Sequence, residues 1–159
     1  MEDTEKQVTG MEEEYILFGI EERTYGIAIG KVQEILTMQP ISPMPNTLPF
    51  CKGVINIRGT IAPIIDLRLK LGFEALDYNE RTCIMVLMLD GEQVGVIVDG
   101  VRDVVRISQE QLQNSPTNDA ALTHARSYTT KVSVQDGMIW QILDLARLFD
   151  LEEAAQHER

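Results

Sequence analysis

Short apolar runs, cut by tight turns that contain glycine, constrain this chain more than any other feature. Arg58-Gly59-Thr60, Asp90-Gly91 and Asp136-Gly137 each stand between two runs rich in Val, Ile and other strand formers. Glycine adopts positive φ without a steric penalty, which a close antiparallel hairpin needs. Glu21-Glu22-Arg23-Thr24 is a polar turn between two further runs in "EYILFGIEERTYGIAIG", and Asp99-Gly100 supplies another bend or bulge. Many short strands with few long helices make an all-β chain of small barrels. "IAPIIDLRLKLG" and "MIWQILDLARLFD" echo one another, each an apolar strand, an Asp-Leu junction and a short amphipathic segment. Two similar barrels sharing an apolar interface are therefore expected.

Local chemistry fills in the connections. "KVQEILTM" places Val32, Ile35 and Leu36 at i, i+3, i+4 spacing, which predicts one or two turns of helix. "QPISPMPNTLPF" holds four of the six prolines and must be an extended link. Pro63 has no N–H for a ladder, so its strand is expected at an edge or bulged there. Asp66 and Asp144 are placed to cap short helices, and Gly72 to stop the first. "QEQLQNSPTNDAALTHARS" predicts a helical turn followed by a loop.

Charge narrows the partners. The formal net charge is −11, and six acids against one lysine in residues 1–14 with four acids against one arginine in residues 150–159 leave only −3 on the body. No basic stripe exists for a phosphate backbone, so nucleic acid is not an expected partner. The N-terminal residues carry neither a basic region nor an apolar one of the secretory kind, and no apolar run reaches the roughly eighteen residues of a membrane span. A cytoplasmic protein without direct membrane insertion is expected. Cys51 and Cys83 sit in or beside apolar runs as buried thiols do, and with His124 and His157 they form no metal-ligand spacing. Neither a metal nor a cofactor is expected.

Two kinds of function can be weighed. An enzyme of this size would rely on a carboxylate at a strand end, Asp66 or Asp99, but helix capping and Asx turns explain those positions more simply. No nucleophile elbow, P-loop or dinucleotide fingerprint is present. Met38, Met44, Met85 and Met88 are read as core filling, and Trp140 as either an interface anchor or a residue buried in the second barrel. Arg58 has two readings: an exposed hairpin arginine that needs no explanation, or a fork of donors at a hairpin apex between apolar strands, which is how an interface anchor is built.

The segment "GVINIRGTIAPIIDLRLKLG" resembles the hallmark segment of CheW-type chemotaxis coupling proteins. "YGIAIGKVQEIL" and "VGVIVDGVRDVVRIS" resemble two other characteristic segments of that family, in the same order. The resemblance implies two intertwined five-stranded SH3-like barrels with short helices and no catalytic activity. It implies an adaptor joining the cytoplasmic tips of chemoreceptors to the regulatory domain of the chemotaxis histidine kinase, in arrays beneath the inner membrane. The receptor-contact region then falls on Val32, Glu34, Gly53 and Arg58, and a kinase-coupling position on Gly95. The expected organisation is an acidic tail over 1–13, a CheW-like domain over 14–150 with a subdomain boundary near 75–80 and exchanged strands, and a second acidic tail over 151–159. Lys131 and Gln141 stand where the family more often has apolar or small residues, so an adaptor of a type IV pilus or another chemosensory system is the neighbouring reading.

Overall fold

The hairpin turns set the frame. Arg58, Asp90 and Asp136 have φ of 52°, 49° and 51°, and the glycine after each has φ of 87°, 81° and 80°. Positive φ at both central residues matches the right-handed twist of the strands they join. The computed structural model describes residues 12–116 and 128–149. Its strands are β1 (Glu13–Ile20), β2 (Arg23–Ala28), β3 (Val32–Thr37), β4 (Cys51–Ile57), β5 (Thr60–Asp66), β6 (Cys83–Leu89), β7 (Glu92–Val98), β8 (Gly100–Ile107), β9 (Leu112–Asn114), β10 (Thr129–Gln135) and β11 (Met138–Leu143). Two one-turn helices follow β5 and β11: α1 (Leu67–Lys70) and α2 (Leu145–Leu148). The acidic tails, apart from the start of β1, and His124 and His157 lie outside the described residues.

The strands form a six-stranded sheet in the order β8-β1-β2-β11-β10-β9 and a five-stranded sheet in the order β3-β6-β7-β5-β4. The N-terminal hairpin β1–β2 thus belongs with the C-terminal strands. After it the chain crosses through a 3-10 turn (Ile29–Lys31) into the five-stranded sheet, and it crosses back between Val98 and Gly100. Residues 75–80 lie in the connection before β6, with the strands on either side in one sheet.

An internal repeat underlies the exchange. Val86 faces Gly95 across β6–β7 as Leu17 faces Gly26 across β1–β2. β5 runs parallel to β7 with Ile64 opposite Gly95, as β11 runs parallel to β2 with Ile142 opposite Gly26. The edge strands match as well: Val32 and Glu34 flank a register shift against β6 just as Val101 and Asp103 flank one against β1. A Cβ on Gly95 would stand 2.5 Å from Ile64 Cδ1, and one on Gly26 2.9 Å from Ile142 Cδ1. Glycine at both places lets the neighbouring isoleucine fill the interior.

The core is shared between the sheets. Ile16, Phe18 and Ile27 of one pack in the same cluster as Leu67, Met85 and Val96 of the other side. Each such side chain contributes about 1.5–3 kcal/mol when fully buried, so neither sheet has a sufficient core without the other. Smaller clusters lie inside each sheet, around Ile55, Ile64 and Ile84, and around Tyr15, Ile107 and Ile142, where Trp140 packs partly buried.

Pro63 is accommodated at the margin of a ladder. Its partner Val54 exchanges backbone bonds of 2.9 Å with Ser42 on the far side of β4, so the Val54–Pro63 pair is not hydrogen-bonded. Pairing of β5 with β7 begins one residue later, at Ile64. Asp66 caps α1 by accepting from the Arg68 N–H at 3.0 Å, Asp144 caps α2 by accepting from the Arg147 N–H at 3.2 Å, and Gly72 has φ of 91° beyond α1.

Two sequence expectations are corrected. "KVQEILTM" is not helical: Val32–Thr37 is a strand, and its burial alternates between half-buried and exposed. Tertiary pairing with β6 overrides the local spacing, and Ile35, placed in a helix stripe by that spacing, is 44% exposed. Met85 is fully buried, but Met44 and Met88 are exposed, because Met85 and Met88 point to opposite faces of β6 and Met44 lies on the proline-rich link.

Candidate functional site

Arg58 sits at the apex of β4–β5 with its side chain 73% exposed. The equivalent turn positions in β6–β7 and β10–β11 hold aspartate, a residue that tolerates the left-handed region. An arginine there costs of order 1 kcal/mol in backbone strain. Its guanidinium pairs with Glu34 of β3, whose side chain is only 17% exposed, and Asn56 Oδ1 secures the turn by accepting from the Gly59 N–H at 2.7 Å. An ion pair with so exposed a partner contributes at most about 1 kcal/mol. Strain and ion pair therefore roughly cancel, and Arg58 is not explained by stability.

The repeat supplies an internal control. At the other end of the molecule the counterparts of Glu34 and Arg58 are Asp103 and Asp136, two acids that cannot form an ion pair with one another. The acid–arginine pair belongs to one end only. Ile61, three residues after Arg58 on β5, is 61% exposed, so apolar surface lies close in sequence to the fork of donors.

Val32 is half-buried at the start of β3 and packs on the shared core, so it joins Glu34 on the same edge strand. Gly53 is buried, with φ of 134°, and a Cβ there would stand 2.1 Å from the Ser42 carbonyl oxygen. It serves this face by letting the proline-rich link cross β4 closely. Gly95 is buried in mid-sheet, away from the surface on which Arg58 lies.

Sequence reasoning did not single out Arg68. Its side chain is 4% exposed, yet its guanidinium reaches Glu21 Oε2 and Asp99 Oδ2, each at 2.7 Å, and its Nε donates to the Glu74 carbonyl at 3.0 Å. Burial alone would lower its pKa, but the bonds to Glu21 and Asp99 outweigh that and hold it above the ordinary arginine value. The Glu21 N–H also donates to Asp99 Oδ2 at 3.2 Å, so one buried cation ties the β1–β2 turn to the crossing between β7 and β8. The only signal in the sequence was a charged residue two places after a capping aspartate.

The carboxylates weighed for catalysis are fully engaged. Asp66 Oδ1 holds the helix cap while Oδ2 accepts from the Tyr78 hydroxyl at 2.9 Å, and Asp99 binds Arg68. Burial and the Asp66 carboxylate push the Tyr78 hydroxyl well above its ordinary pKa. Burial likewise raises the Cys83 thiol, the condition of an unreactive cysteine.

Residues 14–153 match the CheW-like domain. The chain belongs to the CheW-like family. It is 38% identical over 143 residues to the chemotaxis protein CheW of Klebsiella aerogenes, covering 90% of this chain and 85% of that protein. It is 32% identical over 153 residues to the chemotaxis protein CheW of Rhizobium meliloti, covering 96% and 97%. Among solved structures it is similar to the scaffolding protein TtCheW of Thermoanaerobacter tengcongensis, with a TM-score of 0.79 at 28% identity over 88% of this chain and 94% of that one. The CheW-like family is one of non-enzymatic scaffolds, in keeping with an all-β chain whose strand-end carboxylates serve as caps and ion-pair partners. Among the described residues no helix is long and apolar enough to cross a membrane.

Proposed function

We propose that this CheW-like chain couples chemoreceptor tips to the chemotaxis histidine kinase, and that the face of β3 and the β4–β5 turn is its receptor surface. The observation that carries this reading is Arg58, exposed in a left-handed turn, tethered to Glu34 and without a role in stability. A receptor helix hairpin would lay an apolar stripe against exposed Ile61 while one of its carboxylates engages the guanidinium fork. Val32 and Glu34 hold the edge strand in place, and Gly53 keeps the link behind it close. Gly95 would bear on kinase coupling only through packing, since a side chain there meets Ile64 and Ile84. The working location is the receptor array beneath the inner membrane.

Arg58→Glu tests this surface. It places an acid beside Glu34, should reduce affinity for a purified receptor-tip fragment by about tenfold or more, and should leave the melting temperature within about 2 °C. Titration calorimetry with thermal unfolding in parallel reads both. Unchanged affinity in a folded variant would remove this face from the receptor interface.

A further inference from the structure

The internal repeat relates two places that differ in one decisive side chain. At the first, Arg68 stands two residues after the capping Asp66 and reaches the carboxylate of Glu21 in the β1–β2 turn. At the second, Ala146 stands two residues after the capping Asp144, and Asp90 in the β6–β7 turn takes the place of Glu21. A cleft of about 560 Å³ lies at this second place, with Lys31, Asp90, Asp144, Ala146 and Phe149 among its lining, and the first place has an opening of about 530 Å³ lined by Glu21 and Asp99, the two acids that Arg68 already holds. Leu89 and Ile142 give the cleft at the second place an apolar floor. Tyr15 also lines it, with a hydroxyl that burial and Glu13 push up to about 12, so it stays neutral at working pH.

We propose that this cleft receives an arginine side chain from a partner protein, presented between apolar residues. The argument is the chain's own solution at the equivalent place: there a buried guanidinium donates to a turn carboxylate. Asp90 supplies the matching carboxylate, Asp144 adds a second acid, and the apolar floor accepts the methylene stem. Among the described residues the charged groups lining the cleft are Lys31, Asp90 and Asp144, the last of them within 3.9 Å of the Arg147 guanidinium. Gly30 takes the place of Asp99, which removes one of the two acids that hold Arg68, and Lys31 adds a positive charge. A bare cation is therefore bound poorly, and apolar flanks on the partner are needed. Neither Arg58 nor Glu34 is among the residues that line the cleft.

The test uses the ¹⁵N-labelled full chain titrated with the capped pentapeptide Leu-Ala-Arg-Ala-Leu and with the same peptide carrying citrulline for arginine. Saturable amide shifts are expected at Asp90, Gly91, Asp144 and Ala146, with citrulline binding at least about fivefold more weakly because a charge-assisted bidentate contact is lost. Ala146→Arg, which supplies the guanidinium in cis, should abolish peptide binding and raise the melting temperature. Absence of saturable shifts, equal binding of the citrulline peptide, or undiminished binding by a folded Ala146→Arg protein would each overturn the proposal. Should Ala146→Arg not fold, Asp90→Asn decides: loss of the preference for arginine supports the site, and its retention overturns it. Neither receptor nor kinase is in the assay, so failure here leaves the adaptor reading untouched.

Discussion

Arg68→Met should lower the unfolding free energy by about 3 kcal/mol, a shift of about 10 °C in melting temperature for a domain of this size. The native side chain is 4% exposed and makes three bonds, to Glu21, Asp99 and the Glu74 carbonyl. Methionine keeps most of the volume, so little of the loss comes from a cavity. The two acids left behind are 46% and 35% exposed and can take up water, which keeps the cost at the lower end of the range for a broken buried pair of about 3–5 kcal/mol. Urea denaturation of the two proteins measures the difference. A loss below about 1 kcal/mol would show the network to be no stronger than a surface pair.

The second large effect is expected at Gly53. An added Cβ would stand 2.1 Å from Ser42 O, 2.7 Å from Ser42 C and 2.9 Å from Pro43 Cα, all backbone atoms. Ser42 is held by two 2.9 Å bonds to Val54 and cannot retreat without losing them. Left-handed strain and overpacking against a fixed backbone together make Gly53→Ala destabilising by about 3–4 kcal/mol. Gly59→Ala is the matched control, because Gly59 also has positive φ but nothing lies within 4 Å of its added Cβ. That variant should lose only about 1 kcal/mol. Equal losses at the two positions would mean that backbone strain, and not the crossing of the proline-rich link, fixes glycine at Gly53.

The hairpins were legible because their turns are chemical events of two residues: glycine at positive φ, between runs of strand formers, leaves few alternatives. Asp66 and Asp144 were legible as caps for the same local reason. β3 was not. Its six residues fit a helical stripe as well as a strand, because Ile35 puts an apolar residue on the exposed face and the sequence hides the alternation that burial follows. The decision came from β6, some fifty residues away, through pairing that no local window contains. The echo between the two Asp-Leu segments announced a repeat, but which hairpin joins which sheet depends on the parallel pairs Ile64–Gly95 and Ile142–Gly26. For the candidate site, Arg58 was conspicuous as a lone charge at a turn. Its partner Glu34 and the burial of Gly53 and Gly95 emerged only with the sheet. Arg68 lay hidden in a short amphipathic segment, where arginine is ordinarily solvent-facing.

The most direct test of the adaptor account is to reconstitute receptor-containing membranes with the chemotaxis histidine kinase, with and without this protein, and to measure co-sedimented kinase and its autophosphorylation rate. The account predicts that both rise when the protein is added, and that Arg58→Glu, folded by circular dichroism, supports neither. Kinase recruitment and activation equal to those without the protein would contradict it.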